Sequence, residues 1–535
     1  FVGFPQMAIK ECMMIAGIES EDIDNIAYGT NELLTAIHTN IFKRGYLPKN
    51  ILKDKKDLMR ANVFERYRNA LTKKSELMKA DLYFSKKLTE KSLRRMGFAG
   101  REMYFVDHHL AHAESARFIA PRSKSIIITI DGQGNGLSGT VSVLKGGEIE
   151  RLSEIYVYSS LGHFYGGITE VLGYKSAYDE CKVMALAPFG DHSKCYDTLI
   201  RYFYVDRLKI VKRDPMRKYG RCVSLFLREL LSENEKKDIA AGAQKVLEDI
   251  VYELVSNSIE ETGIKNLLLS GGVFLNVKLN KTISEMDEVK DVRIFPAAGD
   301  AGIPIGAALL VNRNLSNIRT NEFSSPYMGG SWKDEEILET LKKSNYRIKW
   351  EYSDNIEGRS AEMLAKGMMG GWFQGRMEMG PRALGNRTVI ADPRDVNSPT
   401  RLNTTIKRRP AFQPFCQSML KENEKYYLIN PKGIDGSYMI MAFESTERGL
   451  KETPAVVHID NSIRPQLLNR NQNQKFYELL KEFYKITGVP VVLNTSLNRS
   501  HEPIVNRPDE AIYDLVHGKL DFLAMGNYLI KLNHS

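Results

Sequence analysis

Residues 125–144 read SIIITIDGQGNGLSGTVSVL, and this stretch decides the fold of the first half of the chain. An apolar run ends at Asp131, Gly132, Gly134 and Gly136 follow in alternation, and a second apolar-alternating run returns. That order predicts a strand, a glycine turn and a hairpin partner. The same grammar recurs twice. NLLLSGGVFLNVKLN (266–280) runs a buried strand into Ser270, Gly271 and Gly272 and then an amphipathic helix. VRIFPAAGDAGIPIGAALL (292–310) sets Asp300 just after a strand and opens the next helix with small residues. Glycine turns let backbone N–H groups approach phosphate, and helix N-termini add a favourable dipole. A single such turn is most often structural. Three in one region, two with an aspartate at the strand end, predict a nucleotide-handling α/β fold.

Between these turns and the N-terminus lies DHHLAHAESARF, Asp107 to Phe118. His108 and His112 are four apart, so a helix puts them on one face with Cβ atoms roughly 5–6 Å apart. A lone histidine is more often a hydrogen-bonded core residue. A pair at this spacing, with His109 beside it, points to a transition metal, and imidazole nitrogens suit iron(II), zinc or manganese. Further ligands are needed, and Asp131 and Asp300 are the natural carboxylates. Two His with two Asp leave positions open for phosphate or water.

A polar stretch, VNRNLSNIRTNEFSSPYMGGSWKDEEI (311–337), reads as a linker with short strands. Beyond it come GGWFQGRMEMGPRALGNRTVIADPRD (370–395), LNTTIKRRPAFQPFCQSML (402–420) and TGVPVVLNTSLNRSHEPIVNRPDEAI (487–512). Arg382, Arg387, Lys407, Arg408 and Arg409 sit there beside Gly, Pro and Asn, flanking apolar strands. Arg forks grip phosphate or carboxylate oxygens bidentately, and Lys adds a compact charge. A solvated basic face would show helical spacing and nearby Glu. A recessed anion pocket is the better reading.

With 535 residues, 43% hydrophobic and 26% charged, the chain has the composition of an ordinary globular protein long enough for two domains. No apolar run nears the roughly 18 residues of a membrane span, and no basic-then-apolar leader opens the chain. No membrane partner is expected. The five cysteines (Cys12, Cys181, Cys195, Cys222, Cys416) are scattered without metal-like spacing and read as reduced thiols in a cytoplasm. Much of the +9 net charge falls between Lys43 and Arg101, where the pattern reads as helices with solvated basic faces. Nucleic acid is therefore not expected as a partner. The start at Phe1 without methionine reads as an incomplete N-terminus.

The motifs DHHLAHA, DGQG, SLGHFYGGITEVLGY, DECKVMALAPFG, SGGVFLN, FPAAGDAGIPIGAA, GPRALGNR and LNTS resemble the O-carbamoyltransferases of antibiotic, toxin and nodulation-factor biosynthesis. The resemblance implies an α/β chain in two domains. An N-terminal actin/sugar-kinase-like (ASKHA) ATPase domain would span 1–340, lacking its first strand and carrying a basic helical insert at 43–101. A YrdC-like domain would span 341–535. It also implies that His108, His112, Asp131 and Asp300 hold an iron(II)-type ion. ATP, as its magnesium complex, would lie against Gly132, Gln133, Gly134, Ser270, Gly271, Gly272 and Asn276, with Lys182 a weaker phosphate partner. Carbamoyl phosphate would be gripped by Arg382, Lys407, Arg409 and Asn494, with Arg464 of HIDNSIRPQ less strongly indicated. Carbamate released there would pass internally to the ATPase domain and become carbamoyl-adenylate, and a hydroxyl-bearing small molecule would take the carbamoyl group. The acceptor-side base belongs to a segment not matched here, and an oligomer is allowed. Two positions depart from the family pattern. Cys181 stands in Asp-Glu-Gly-Lys where the family has Gly, and Gln413 stands in Phe-Arg-Pro-Phe where it has Arg. Two rival readings are a fusion enzyme making threonylcarbamoyladenosine in tRNA and a non-catalytic sensor of nucleotide or carbamoyl phosphate.

Overall fold

A computed structural model describes residues 4–29, 76–120, 124–213, 230, 232–316, 322–500 and 502–533. Most of the basic stretch, up to residue 75, and Cys222 lie outside them; of that stretch the described part includes a helix, Glu76–Arg94. The chain forms two compact units, residues 1–183 with 190–323 and residues 184–189 with 324–535. The division at 323/324 comes earlier than the 340/341 boundary read from the sequence, because the linker packs on the second unit. Gly329 N–H donates to Met377 O (2.8 Å), Trp332 Nε1–H donates to Asn506 O (2.9 Å), and the Asp334 carboxylate accepts from Asn527 Nδ2 (2.9 Å).

In the first unit β1 (Asn25–Tyr28) pairs in parallel with β2 (Glu102–Phe105). The helix α1 (His108–Ile119) follows, then a meander of β3 (Ser125–Gly134), β4 (Leu137–Lys145) and β5 (Glu148–Tyr156). Next come α2 (Leu161–Val171), α3 (Lys236–Thr262), β6 (Asn266–Ser270), α4 (Val277–Glu285), β7 (Asp291–Ile294) and α5 (Ile303–Ser316). The sheet order is β5–β4–β3–β6–β7, with β3, β6 and β7 mutually parallel. Parallel strands end at one edge of their sheet, which is where α/β folds place ligands. All three predicted turns therefore leave from the same edge. Ala113 and Ala116 of α1 pack against Ile127, Leu144 and Leu268 of the sheet. The helix α5 lies close over α1 because Gly306 has no side chain: a Cβ there would stand 1.8 Å from Ala111 O.

The second unit carries α6 (Asp334–Lys343), β8 (Ile348–Tyr352), α7 (Ile356–Ala365), β9 (Gly370–Phe373), β10 (Arg387–Ala391), β11 (Cys416–Leu420) and β12 (Pro465–Leu468). It closes with α8 (Gln474–Thr487), β13 (Val491–Ser496), α9 (Pro508–His517), β14 (Phe522–Met525) and β15 (Tyr528–Leu532). Eight strands form a mixed sheet in the order β8–β15–β14–β9–β10–β13–β11–β12. Successive strand residues face opposite sides. Val389, Ala391 and Leu493 join one core with Ile512 and Leu515 of α9, while Ile390 and Val492 join another with Phe476, Leu479 and Phe483 of α8. Burial on both faces explains why these strands read as nearly unbroken apolar runs. Both units are α/β, as the sequence predicts.

Candidate active site

The first turn of α1 is fixed before any ligand arrives. Asp107 caps it by accepting from Leu110 N–H (2.8 Å), and His108 N–H donates to Asn135 Oδ1 in the β3–β4 turn (2.8 Å). A cap of this kind contributes about 1 kcal/mol. Gly134 has to be glycine, since a Cβ there would lie 2.0 Å from the His108 ring. His108 and His112 then point from one helix face toward Asp131 on β3 and Asp300 after β7. His112 Nε2 is 3.0 Å from Asp131 Oδ2 and 3.7 Å from Asp300 Oδ1; His108 Nε2 is 3.6 and 3.8 Å from the same two atoms. One donor atom from each residue lies within 4.8 Å of all the others.

This set fits a divalent cation. His108 Nε2 is buried without a hydrogen-bond partner among the described residues. His112 Nδ1 meets Ser270 Oγ (3.2 Å), which turns Nε2 toward the carboxylates in the manner of an outer-sphere partner of a metal ligand. Burial pulls the His112 pKa down, but hydrogen bonds and charge from Asp131 and Asp300 outweigh it and raise the pKa to about 9. The carboxylates thus already favour a cation at this point. Asp300, with its side chain 75% exposed, leaves one side of the cluster open. Two imidazoles and two carboxylates suit several first-row divalent ions without selecting one. His109 stands apart: its Nδ1 meets Thr129 Oγ1 (3.0 Å), and burial, reinforced by His108 and His112, lowers its pKa to about 3. It is a core residue.

The residues read from the sequence as nucleotide-binding lie around the same edge. Gly132 N–H donates to Asp131 Oδ1 (2.6 Å), and Gly271 N–H donates to Ala298 O (2.7 Å). Gly271 has φ +104°, and a Cβ there would stand 2.2 Å from Ile130 O. Asn276 caps α4 through Leu279 N–H (3.1 Å) and donates from Nδ2 to Gln244 Oε1 (2.9 Å). Tyr165 OH also donates to Gln244 Oε1 (2.7 Å). Gln133 Oε1 is buried without a hydrogen-bond partner among the described residues. Lys182 pairs with Asp179 (2.9 Å) one helical turn away, so its charge is locally matched.

In the second unit Asn494 of β13 lies directly opposite Cys416 of β11, and both side chains share one face of the sheet. Asn494 Nδ2 donates to Ala383 O (3.1 Å), which brings the loop bearing Arg382 over that face. Glu378 positions this loop: its Oε1 accepts from the N–H groups of Leu384 (2.6 Å), Asn386 and Arg387 (both 3.2 Å). Lys407 is buried, and its Nζ meets Ser496 O, Ser496 Oγ (3.1 Å), Asn498 O (3.1 Å) and Asn498 Oδ1 (2.8 Å). Ser496 Oγ–H is already given to Asn498 Oδ1 (2.5 Å), so it can only accept from Lys407. Burial and Arg409 press the lysine pKa down, while four acceptor oxygens favour the ammonium. Arg409 Nε–H donates to Asn403 Oδ1 (2.8 Å), and its guanidinium lies over the Phe415 ring (4.4 Å). Arg464 donates to Cys416 Sγ from Nε (2.9 Å) and Nη2 (2.6 Å). Gln413 is buried in the loop leading to β11.

One grouping needs correction. Arg387, read with the anion-binding residues, is fully buried and donates to the carbonyls of Gln374, Asn386, Gly330 and Gly375 while its guanidinium covers the Phe373 ring. It fastens loops by donating to four carbonyls, of which those of Asn386 and Gly330 also accept from the N–H groups of Gln374 and Met377. Arg408 is exposed at φ +42°. Glu378, Ser496 and Asn498 went unread: Ser496 and Asn498 meet Lys407 across 89 and 91 positions of sequence, and nothing local marks Glu378 as the acceptor for the loop after it. The single local hint was Asn498, four residues after Asn494.

Comparison with known proteins follows the same division. The family description "Carbamoyltransferase N-terminus" matches residues 2–309, and "Carbamoyltransferase C-terminus" matches residues 361–532. Nodulation protein NolNO of Sinorhizobium fredii is 33% identical over 98% of this chain and 74% of its own. Nodulation protein NolO of Bradyrhizobium diazoefficiens is 33% identical over 80% of this chain and 79% of its own. A crystal structure of full-length HypF in its phosphate- and nucleotide-bound form aligns over 42% of this chain and 45% of its own, at 19% identity and a TM-score of 0.29. That likeness is too loose to carry an argument. No helix among the described residues is long and apolar enough to cross a membrane. Matched in order at both halves, and similar along most of its length to named relatives, the chain belongs to the carbamoyltransferase family.

Proposed function

We propose that this chain is an ATP-dependent O-carbamoyltransferase whose donor is carbamoyl phosphate and whose acceptor is a hydroxyl of a small molecule. The observation that carries the reading is the gathering of His108, His112, Asp131 and Asp300 at the sheet edge from which three glycine-bearing turns emerge. Family membership supports carbamoyl transfer as the reaction. A divalent ion bound by those four residues would act as a Lewis acid on nucleotide phosphate oxygens. The chain's own contribution there is positional. Gly134 and Gly271 set the turns by packing closely on His108 and Ile130, and the sheet edge would hold the phosphates beside the tetrad.

In the second unit Lys407, Arg409 and Arg382 supply positive charge for a phosphate, and Asn494 Oδ1 offers an acceptor for the carbamoyl N–H. Cleavage of the carbonyl C–O bond of carbamoyl phosphate by water gives carbamate and phosphate. Carbamate oxygen then attacks the α-phosphorus of ATP, forming carbamoyl-adenylate and expelling pyrophosphate. The acceptor hydroxyl displaces AMP from the carbonyl carbon and loses its proton. The test is product analysis with carbamoyl phosphate, ATP, a panel of divalent ions and a panel of sugars and polyols. Phosphate and pyrophosphate should appear together, with AMP tracking the acceptor. Pyrophosphate release indifferent to carbamoyl phosphate, or absent with every ion, would overturn the reading.

A further inference from the structure

Cys416 occupies an unusual position for a buried thiol. Its sulfur receives two N–H groups from the Arg464 guanidinium, at 2.9 and 2.6 Å. Two N–H groups of one cationic fork therefore converge on a single sulfur and fix its place on the sheet face. Lys407 is close enough for the two side chains to interact electrostatically. Leu384, two residues after Arg382, packs on Cys416. Directly opposite in the strand register is Asn494, fully buried, whose Oδ1 has no hydrogen-bond partner among the described residues. A nucleophilic sulfur, a cationic surround and an unfilled acceptor thus share one face of the sheet. This is the setting in which cysteines act as nucleophiles.

We propose that Cys416 is a catalytic nucleophile that takes the carbamoyl group from carbamoyl phosphate and holds it as an S-carbamoyl intermediate. The inference rests on the carbamoyl phosphate reading above and replaces direct attack by water with two steps. In the first, the thiolate attacks the carbonyl carbon of the substrate monoanion. A C–S bond forms, the C–O bond to phosphate breaks, and hydrogen phosphate dianion leaves, so charge balances without an added proton. In the second, water attacks the thiocarbamate carbon, the C–S bond breaks, and carbamate, thiolate and two protons result. No oxidant or reductant is involved. Asn494 Oδ1 would accept from the carbamoyl NH₂ in both steps and keep the carbonyl carbon facing the sulfur.

The test uses the full chain with isotopically labelled carbamoyl phosphate, acid quenching within a turnover, and peptide mass analysis. A single carbamoyl increment on Cys416 is expected, formed with a burst of phosphate and gone once substrate is exhausted. Carbamoyl phosphate decomposes to cyanate, which carbamoylates thiols indiscriminately, so exposed Cys12 serves as the internal reference. Cys416→Ser and Cys416→Ala should each lose the increment and slow phosphate release by at least about 100-fold. Arg464→Gln should slow adduct formation, and Arg464→Lys should recover part of the rate by restoring the positive charge, which a purely structural role would not do. Wild-type phosphate release with no adduct, equal labelling of Cys12 and Cys416, or undiminished release by Cys416→Ala would each overturn the proposal while leaving the carbamoyl phosphate reading intact. A wild-type chain that releases no phosphate at all would overturn that underlying reading and the proposal with it.

Discussion

The two units solve the problem of holding charge in opposite ways. In the first, His112 and Asp131 are bonded to each other, but the rest of the site is left unfinished: His108 Nε2 has no hydrogen-bond partner among the described residues, and the Asp300 side chain is 75% exposed. In the second, the central cation is already complete, with four oxygens around Lys407 Nζ before any substrate is present. An unfinished site waits for a ligand and costs little stability when altered. A finished one is part of the fold, and a ligand there competes with protein oxygens or settles beside them.

The sharpest way to break this contrast is Lys407→Met. The buried oxygens of Ser496 and Asn498 then lose their donor, which costs roughly 1–3 kcal/mol. Denaturant unfolding should show that loss. Phosphate release from carbamoyl phosphate should stop, while transfer from chemically made carbamoyl-adenylate continues in the protein that remains folded. Loss of both activities from folded protein would contradict separate sites.

His108→Ala is the matching change in the first unit. Outer-sphere partners alone are worth 10–100-fold in metal affinity, so loss of a direct ligand should cost at least about 100-fold. The apo protein should lose the packing of the buried ring but no Nε2 hydrogen bond among the described residues, so its Tm should fall less than that of Lys407→Met. Undiminished metal by elemental analysis would sink the assignment, and a large fall in apo Tm would sink the idea that the site is unfinished.

Glu378→Ala should remove three backbone hydrogen bonds from the Arg382 loop, at about 2–3 kcal/mol, with Glu378→Gln restoring most of it. The expected kinetic signature is a higher Michaelis constant for carbamoyl phosphate and an unaltered one for ATP. Equal effects on both constants would refute a local role.

The smallest effect is a pH dependence confined to the second unit. Asp514 on α9 is buried, which raises its pKa from 3.8 to about 7, with Glu502 adding to the rise and Lys407 and Arg499 opposing it. A carboxyl group whose folded pKa is raised binds its proton more tightly when folded. Its contribution is therefore complete below about pH 4 and is lost as pH climbs toward 7. The slope is about 1.4 kcal/mol per pH unit inside that window. Asp514→Asn should flatten the stability profile between pH 5 and 6 by that amount, as read from denaturant midpoints. An unchanged slope would place the carboxylate in contact with solvent.

The contrast also explains what was legible in the sequence. His108 and His112 could be paired because helical spacing is a local property, and Asp131 and Asp300 because each lies at or shortly after the end of an apolar run. Parallel pairing of β3, β6 and β7 then did the rest. The second site depends on register. Nothing near Asn494 announces that it faces Cys416, and nothing near Lys407 names Asn498 as its partner. Arg387 misled for a related reason: arginine beside glycine suits an anion or a set of loop carbonyls equally well, and only burial distinguishes them. Arg464 carried a weak signal, and its contact with Cys416 carried none.

The β3–β4 turn has one more consequence. Asn135 Oδ1 accepts from His108 N–H, and Gly134 presses against the His108 ring, so the glycine turn and the first turn of α1 move as one piece. An occupant that tightens one must reposition the other. Affinity at the tetrad and affinity at the turn are then linked quantities, and linkage is reciprocal: whatever factor the metal lends to phosphate binding, phosphate returns to the metal. Metal titrations with and without nucleotide should give curves displaced by the same factor as nucleotide titrations with and without metal.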